Sequence, residues 1–193
     1  AALADGLDYV HSKGVLHRDL KPANVLMDPD GVPKLVDFGL ARTVDAETLT
    51  KTGAMMGTPA YMAPEQAKGK TKELDARTDV YGLGMILYEC LTGELPFTGP
   101  GIALIRALVS EPPPRPRSIR AEIPDWLERV CLKALAKEQH DRYQSAAEFA
   151  LALRTPQRAR LSVLGVIAVV ALGLVGLGAA AVAGKGRTEQ PAV

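Results

Sequence analysis

The chain has 193 residues, of which 47% are hydrophobic and 23% charged, a balance that suits a globular protein and excludes a disordered one. With 23 Lys and Arg against 22 Asp and Glu the formal net charge is +1, and aromatics are only 5%, so neither a strong basic field nor a base-stacking platform is available and no nucleic-acid partner is expected. Two cysteines, Cys90 and Cys131, exclude a disulfide scaffold and read as small buried residues in a reducing compartment.

The first predicted element is a helix over Ala1–Lys13. Leu3, Leu7 and Val10 share one face, Asp5 and Asp8 lie off it, and Gly14 stands where a left-handed cap closes such a helix. A chain without an initiator Met that opens inside a helix reads as a fragment whose upstream part is missing.

The chemistry follows. Val15–Asn24 reads V-L-H-R-D-L-K-P-A-N, then Val25–Met27 is a short strand, Asp28–Gly31 a turn, and Val32–Val36 a second strand with Pro33 marking an edge or irregular start. Asp37–Phe38–Gly39 comes next. Paired as a hairpin, the strands bring Asn24 and Asp37 together at one end. An amide oxygen beside a carboxylate, with positions left for phosphate and water, suits Mg²⁺. Gly39 lets the backbone turn sharply beside that ligand. Asp19, five residues before Asn24, can orient a hydroxyl and accept its proton, and the Lys21 ammonium can offset charge on a transferred phosphoryl group.

Farther along, Val80–Leu91 is apolar enough for a central helix, with Gly93 just past its end. Gly101–Ser110 is a second helix, and Glu111–Pro116, with four prolines, a loop. Asp125–Ala136 reads as helical, as does Ser145–Leu153, where Ser145 and Glu148 form a capping-box pattern. Residues 154–160 make a short basic linker.

From Leu161 to Gly184 there is no charged residue. About 24 residues give roughly 36 Å of helix, against roughly 30 Å of bilayer hydrocarbon. A single transmembrane helix over 161–184 is expected, flanked by Arg154, Arg158 and Arg160 on one side and Lys185 and Arg187 on the other, with a short tail over 185–193. Gly176, Ala180 and Gly184 form a row of small residues suited to a homodimer of spans.

Several motifs in order carry a resemblance. His17–Asn24 is similar to the catalytic loop of the protein kinase superfamily, Asp37–Phe38–Gly39 to its magnesium motif, and Gly57–Glu65 to the end of its activation segment. Asp79–Gly84 resembles the opening of the large buried helix, and Leu95–Phe97 and His140–Tyr143 resemble later landmarks. The likeness covers Ala1 to about Leu153. It implies a mainly α fold over 1–153, a kinase C-terminal lobe with short β-hairpins. No glycine-rich phosphate loop, strand lysine or partner glutamate precedes the motifs, so the N-terminal lobe is absent from these residues.

The resemblance also implies roles. Asp19 is the catalytic base, Lys21 contacts the transferred phosphate, and Asn24 and Asp37 hold Mg²⁺. Leu26 lies under the adenine of ATP. His17 and Phe38 belong to an internal apolar stack, Asp79 anchors the catalytic loop from below, and Glu65 pairs with Arg142. Lys21 together with Gly57–Thr58–Pro59 resembles serine/threonine kinases, with Thr58 in the hydroxyl-binding region, so proteins bearing Ser or Thr are the expected substrates. Arg18 and Arg42 are two guanidiniums suited to an anion between them, and Thr50 and Thr52 fall where similar bacterial kinases are autophosphorylated.

A kinase domain followed by one span resembles bacterial receptor-type serine/threonine kinases, which implies the cell membrane with the lobe on the cytoplasmic side, where ATP is. With half a cleft, these 193 residues are expected to be inactive alone. The alternatives are a catalytically dead kinase-like scaffold and a truncated membrane-anchored binding fragment.

Overall fold

The computed structural model describes residues 1–38 and 59–155. Seven α-helices and one two-stranded sheet occur among them: α1 (Ala2–His11), β1 (Val25–Met27), β2 (Pro33–Leu35), α2 (Pro64–Ala67), α3 (Ala76–Thr92), α4 (Gly101–Ser110), α5 (Pro116–Ile119), α6 (Asp125–Ala134) and α7 (Ala146–Arg154). The described part is mainly helical, in keeping with the C-terminal lobe of a kinase.

α1 buries Ala4 and Leu7. It ends before the expected Lys13, because Lys13 N–H turns to Val10 O and Gly14 N–H to His11 O, tightening the chain into turns, and Gly14 follows at φ +75°. β1 and β2 pair antiparallel with Val25 opposite Leu35 and Met27 opposite Pro33. Asp28 fixes the turn between them: its Oδ1 accepts from Asp30 N–H at 3.0 Å and Val32 N–H at 2.8 Å. β2 is three residues rather than five and opens at Pro33, which supplies no N–H to the ladder. Pairing continues one step beyond the strands, where Val36 N–H donates to Asn24 O at 3.0 Å.

α3 is the axis of the lobe. It begins at Ala76, four residues earlier than its apolar run alone predicts, because Asp75 caps it: Asp75 accepts from Arg77 N–H while Thr78 Oγ1 accepts from Asp75 N–H. Gly93, at φ +83°, closes it. One side of α3 (Val80, Leu83, Ile86) meets Ala4, Leu7, Leu20 and Phe149. The other side (Tyr81, Met85, Tyr88) meets Phe97, Leu104, Leu108 and Leu135. A Cβ on Gly84 would come within 2.9 Å of Ala134 Cβ, so only glycine admits α6 this closely.

α4 spans Gly101–Ser110. Pro116 leaves the proline-rich loop and opens α5, where its missing N–H costs nothing. α6 stops at Ala134, two residues short of Ala136. In α7 the cap is not reciprocal: Ser145 Oγ accepts from Glu148 N–H, but Glu148 Oε2 accepts from Gln144 N–H instead of reaching back to Ser145. α7 also runs through Arg154, the first residue assigned to the linker. It covers α1, with Ala147 N–H donating to Asp8 Oδ1 and Arg154 pairing with Asp5.

Among the described residues no helix is long and apolar enough to cross a membrane. The expected span over 161–184, its tail and most of the linker lie outside the described residues.

Candidate active site

The site is built outward from Asp79, in the first turn of α3 and 1% exposed. Its Oδ1 accepts from Arg18 N–H at 2.7 Å, and its Oδ2 from His17 N–H and His11 Nε2, both at 2.8 Å. One buried carboxylate thereby holds two successive peptide N–H groups of the loop. The grip matters because Arg18 stands at φ +66°, a left-handed conformation in which the Cβ of a non-glycine residue is crowded.

His17 is fully buried. Its Nδ1 accepts from Asp19 N–H at 3.3 Å, so the proton sits on Nε2, which donates to Val36 O at 3.0 Å. Its ring lies 4.9 Å from that of Phe38, tilted by 51°. The imidazole therefore ties the loop to the end of β2, directly before Asp37, which is itself left-handed at φ +58°.

Asp19 and Asp37 are exposed, and Asn24 is buried at the end of the short turn Pro22–Asn24. Asn24 Nδ2 donates to Asp19 O at 2.7 Å and to Asp19 Oδ2 at 3.2 Å. Because both bonds use the amide nitrogen, Oδ1 is the atom left for a cation. Lys21 Nζ donates to Asp19 Oδ2 at 2.7 Å. The hairpin register puts Asn24 and Asp37 at the same end of the ribbon. Their donor set, one amide oxygen and one carboxylate open to solvent, fits a hard cation that keeps water and phosphate oxygens as its other ligands. Among the described residues no cluster of three or more His, Cys, Asp or Glu offers an all-protein metal cage. Leu26 lies on β1 with 55% of its surface exposed, beside the exposed Met27.

The segment Pro59–Ala67 packs against this loop and is fixed to the core. Arg142 and Glu65, both buried, form a two-pronged pair, Nη1 to Oε1 and Nη2 to Oε2, each 2.8 Å. Thr78 Oγ1 adds a bond to Glu65 Oε1. Burial pushes the Glu65 carboxyl up, but the Arg142 fork outweighs it and holds the group below its usual range.

The structure thus brings His17, Arg18, Asp19, Lys21, Asn24, Phe38 and Asp79 into one neighbourhood. Gly39, Arg42, Thr50, Thr52 and Thr58 lie outside the described residues. Sequence reasoning missed His11 and Gln66. A histidine on the polar edge of an amphipathic helix carries no signal of its own until Asp79, 68 positions away, is known to face it.

The chain matches the family model described as protein kinase domain over residues 1–151. Among characterised relatives, the serine/threonine-protein kinase PknB of Mycolicibacterium smegmatis is 44% identical over 151 residues, covering 77% of this chain and 24% of that protein. The DNA damage-responsive serine/threonine-protein kinase RqkA of Deinococcus radiodurans is 47% identical over 146 residues, covering 75% of this chain and 22% of that protein. PknB of Mycobacterium leprae is 44% identical over 150 residues, covering 77% of this chain and 24% of that protein. The chain spans about a quarter of the length of these curated relatives.

Proposed function

The chain belongs to the protein kinase domain family, and we propose that it is the catalytic-loop half of a serine/threonine protein kinase, transferring the γ-phosphate of ATP to Ser and Thr hydroxyls of proteins. The observation that carries this reading is the loop itself: an exposed Asp19 carboxylate, a lysine ammonium on its Oδ2, and a buried amide tied to the same residue. A scaffold needs none of these.

In this reading Asp19 orients the substrate hydroxyl and takes its proton as the oxygen attacks phosphorus. Lys21 offsets charge on the phosphoryl group in flight. Asn24 Oδ1 and Asp37 would hold Mg²⁺, which when bound neutralises phosphate charge. Leu26 supplies an apolar face to the adenine, and Thr58 lines the hydroxyl site. His17, Phe38 and Gly39 support the arrangement from behind. Arg18 and Arg42 receive an activation-loop phosphate carried by Thr50 or Thr52.

Residues 161–184 anchor the protein as a single membrane span with the lobe in the cytoplasm; the support is an uncharged stretch with basic flanks. The small-residue row within it favours pairing of two spans.

The test is phosphate transfer from ATP and Mg²⁺ to a Ser/Thr protein substrate by the product of the complete gene, beside Asp19→Asn and Asp37→Ala. The expected result is loss of about a thousandfold or more in kcat for each variant. Wild-type activity no higher than that of Asp19→Asn would favour the scaffold instead.

A further inference from the structure

Arg18 is held from both of its peptide groups, by two different elements. Asp79 of α3 takes its N–H. From the opposite side, Gln66 Nε2 of α2 donates to Arg18 O at 2.7 Å. Among the described residues no other hydrogen bond reaches that carbonyl. The orientation of the Gln66 amide follows from its partners: Oε1 accepts from Ala63 N–H at 3.0 Å, which leaves Nε2 to face a carbonyl. The reversed amide would set N–H against N–H and oxygen against oxygen. One half-buried side chain therefore caps its own short helix and grips the peptide that leads into Asp19.

The grip has a firm base. Gln66 directly follows Glu65, whose carboxylate is locked onto the buried Arg142. The fork holds the backbone of α2 at the residue next to Gln66. The strained residue sits where the pull is applied. A left-handed arginine relaxes to negative φ once its peptide is released, and that rotation swings the following residue. The following residue is Asp19.

We propose that Gln66 is a positioning residue for Asp19. It holds the Arg18 peptide from the carbonyl side as Asp79 holds it from the amide side, and the two together fix the direction in which the Asp19 carboxylate leaves the backbone. The same bond makes the end of the segment Pro59–Ala67 part of the catalytic loop's support. This rests on the phosphotransfer reading above.

Two variants separate the two jobs of the side chain. Gln66→Glu keeps an oxygen for Ala63 N–H but turns a second oxygen toward Arg18 O, so the cap survives and the grip is lost. Gln66→Leu removes both. Hydrogen–deuterium exchange on the purified protein should show the amides of residues 17–19 exchanging about tenfold faster in Gln66→Glu, the value of one hydrogen bond, with Ala67 N–H in α2 unchanged. Gln66→Leu should accelerate both regions. In the phosphotransfer assay Gln66→Glu should lower kcat by about tenfold with the KM for ATP unchanged, because nucleotide contacts are untouched. Wild-type exchange at 17–19 in Gln66→Glu would overturn the grip whatever the activity. Faster exchange with unchanged kcat would overturn the positioning role. Faster exchange together with no phosphate transfer by the wild-type product of the complete gene would overturn the kinase reading and leave the grip standing.

Discussion

Arg142 places all five of its N–H donors on acceptors inside the lobe. Two form the fork on Glu65, and the other three reach Ala136 O, Arg77 O and Lys137 O. Its guanidinium also lies 5.0 Å from the centroid of the Tyr81 ring. A buried cation is tolerated only when its donors are met, and here none is left over. The residue joins the segment before α3, the chain after α6 and α3 itself through one planar group.

Arg142→Met should therefore destabilise the protein by about 3–5 kcal/mol, because it leaves Glu65 as an unpaired buried carboxylate. Arg142→Lys should recover little of this, since an ammonium cannot make the fork. Urea unfolding of the three proteins measures both differences.

Acid should weaken the fold through the same pair. The Glu65 carboxyl lies below its ordinary value of 4.5 in the folded state. Below that ordinary value the unfolded chain takes up a proton that the folded chain refuses, so the contribution is complete above it and is lost as pH falls through the folded value. The stability of wild type should drop more steeply below about pH 4.5 than that of Glu65→Gln, which has no carboxyl there to titrate. A parallel pair of pH–stability curves would contradict this.

Asp79→Asn should damage the catalytic loop. All three partners of the carboxylate donate to it, and an amide can accept from Arg18 N–H only by turning its own N–H₂ toward His17 N–H and His11. The expected cost is about 2–3 kcal/mol in stability, with faster amide exchange over residues 17–19. Exchange at wild-type rates in that stretch would count against the role given to Asp79.

Two glycines should respond in opposite directions. Gly84→Ala meets Ala134 Cβ at 2.9 Å and a Leu135 methyl at 3.1 Å, and should cost about 1–3 kcal/mol. Gly6, exposed in the middle of α1, has nothing within 4 Å of a new Cβ. Gly6→Ala should gain about 0.5–1 kcal/mol by restricting the unfolded chain. Thermal unfolding compares them directly.

Much of this architecture is legible from residue order because its signals are local. The turn Asp28–Gly31, the bounds of α4, the Gly93 closure and the Ser145 cap each depend on a few neighbouring residues. The signals that depend on distant partners are not legible. Asp75 reads as one acid among several until α3 is seen to begin beside it. Glu128 looks like a surface residue of α6, yet it is 1% exposed and takes bonds from Arg115 and from Arg117 N–H. Gln66 is hidden for the same reason: its carbonyl partner lies 48 positions earlier, on a peptide whose left-handed turn no composition reveals.

The cover that α7 gives α1 has a consequence for how the protein is made. Ala147 and Asp8, hydrogen-bonded to each other, are 139 positions apart. The apolar face of α1 meets Leu20 and the α3 residues Val80, Leu83 and Ile86 first, but its cover by Phe149 and Ala150 waits until the last helix of the lobe has been translated. The last step in closing this core is therefore a long-range one, and the uncovered part of the α1 face is open to aggregation until it happens.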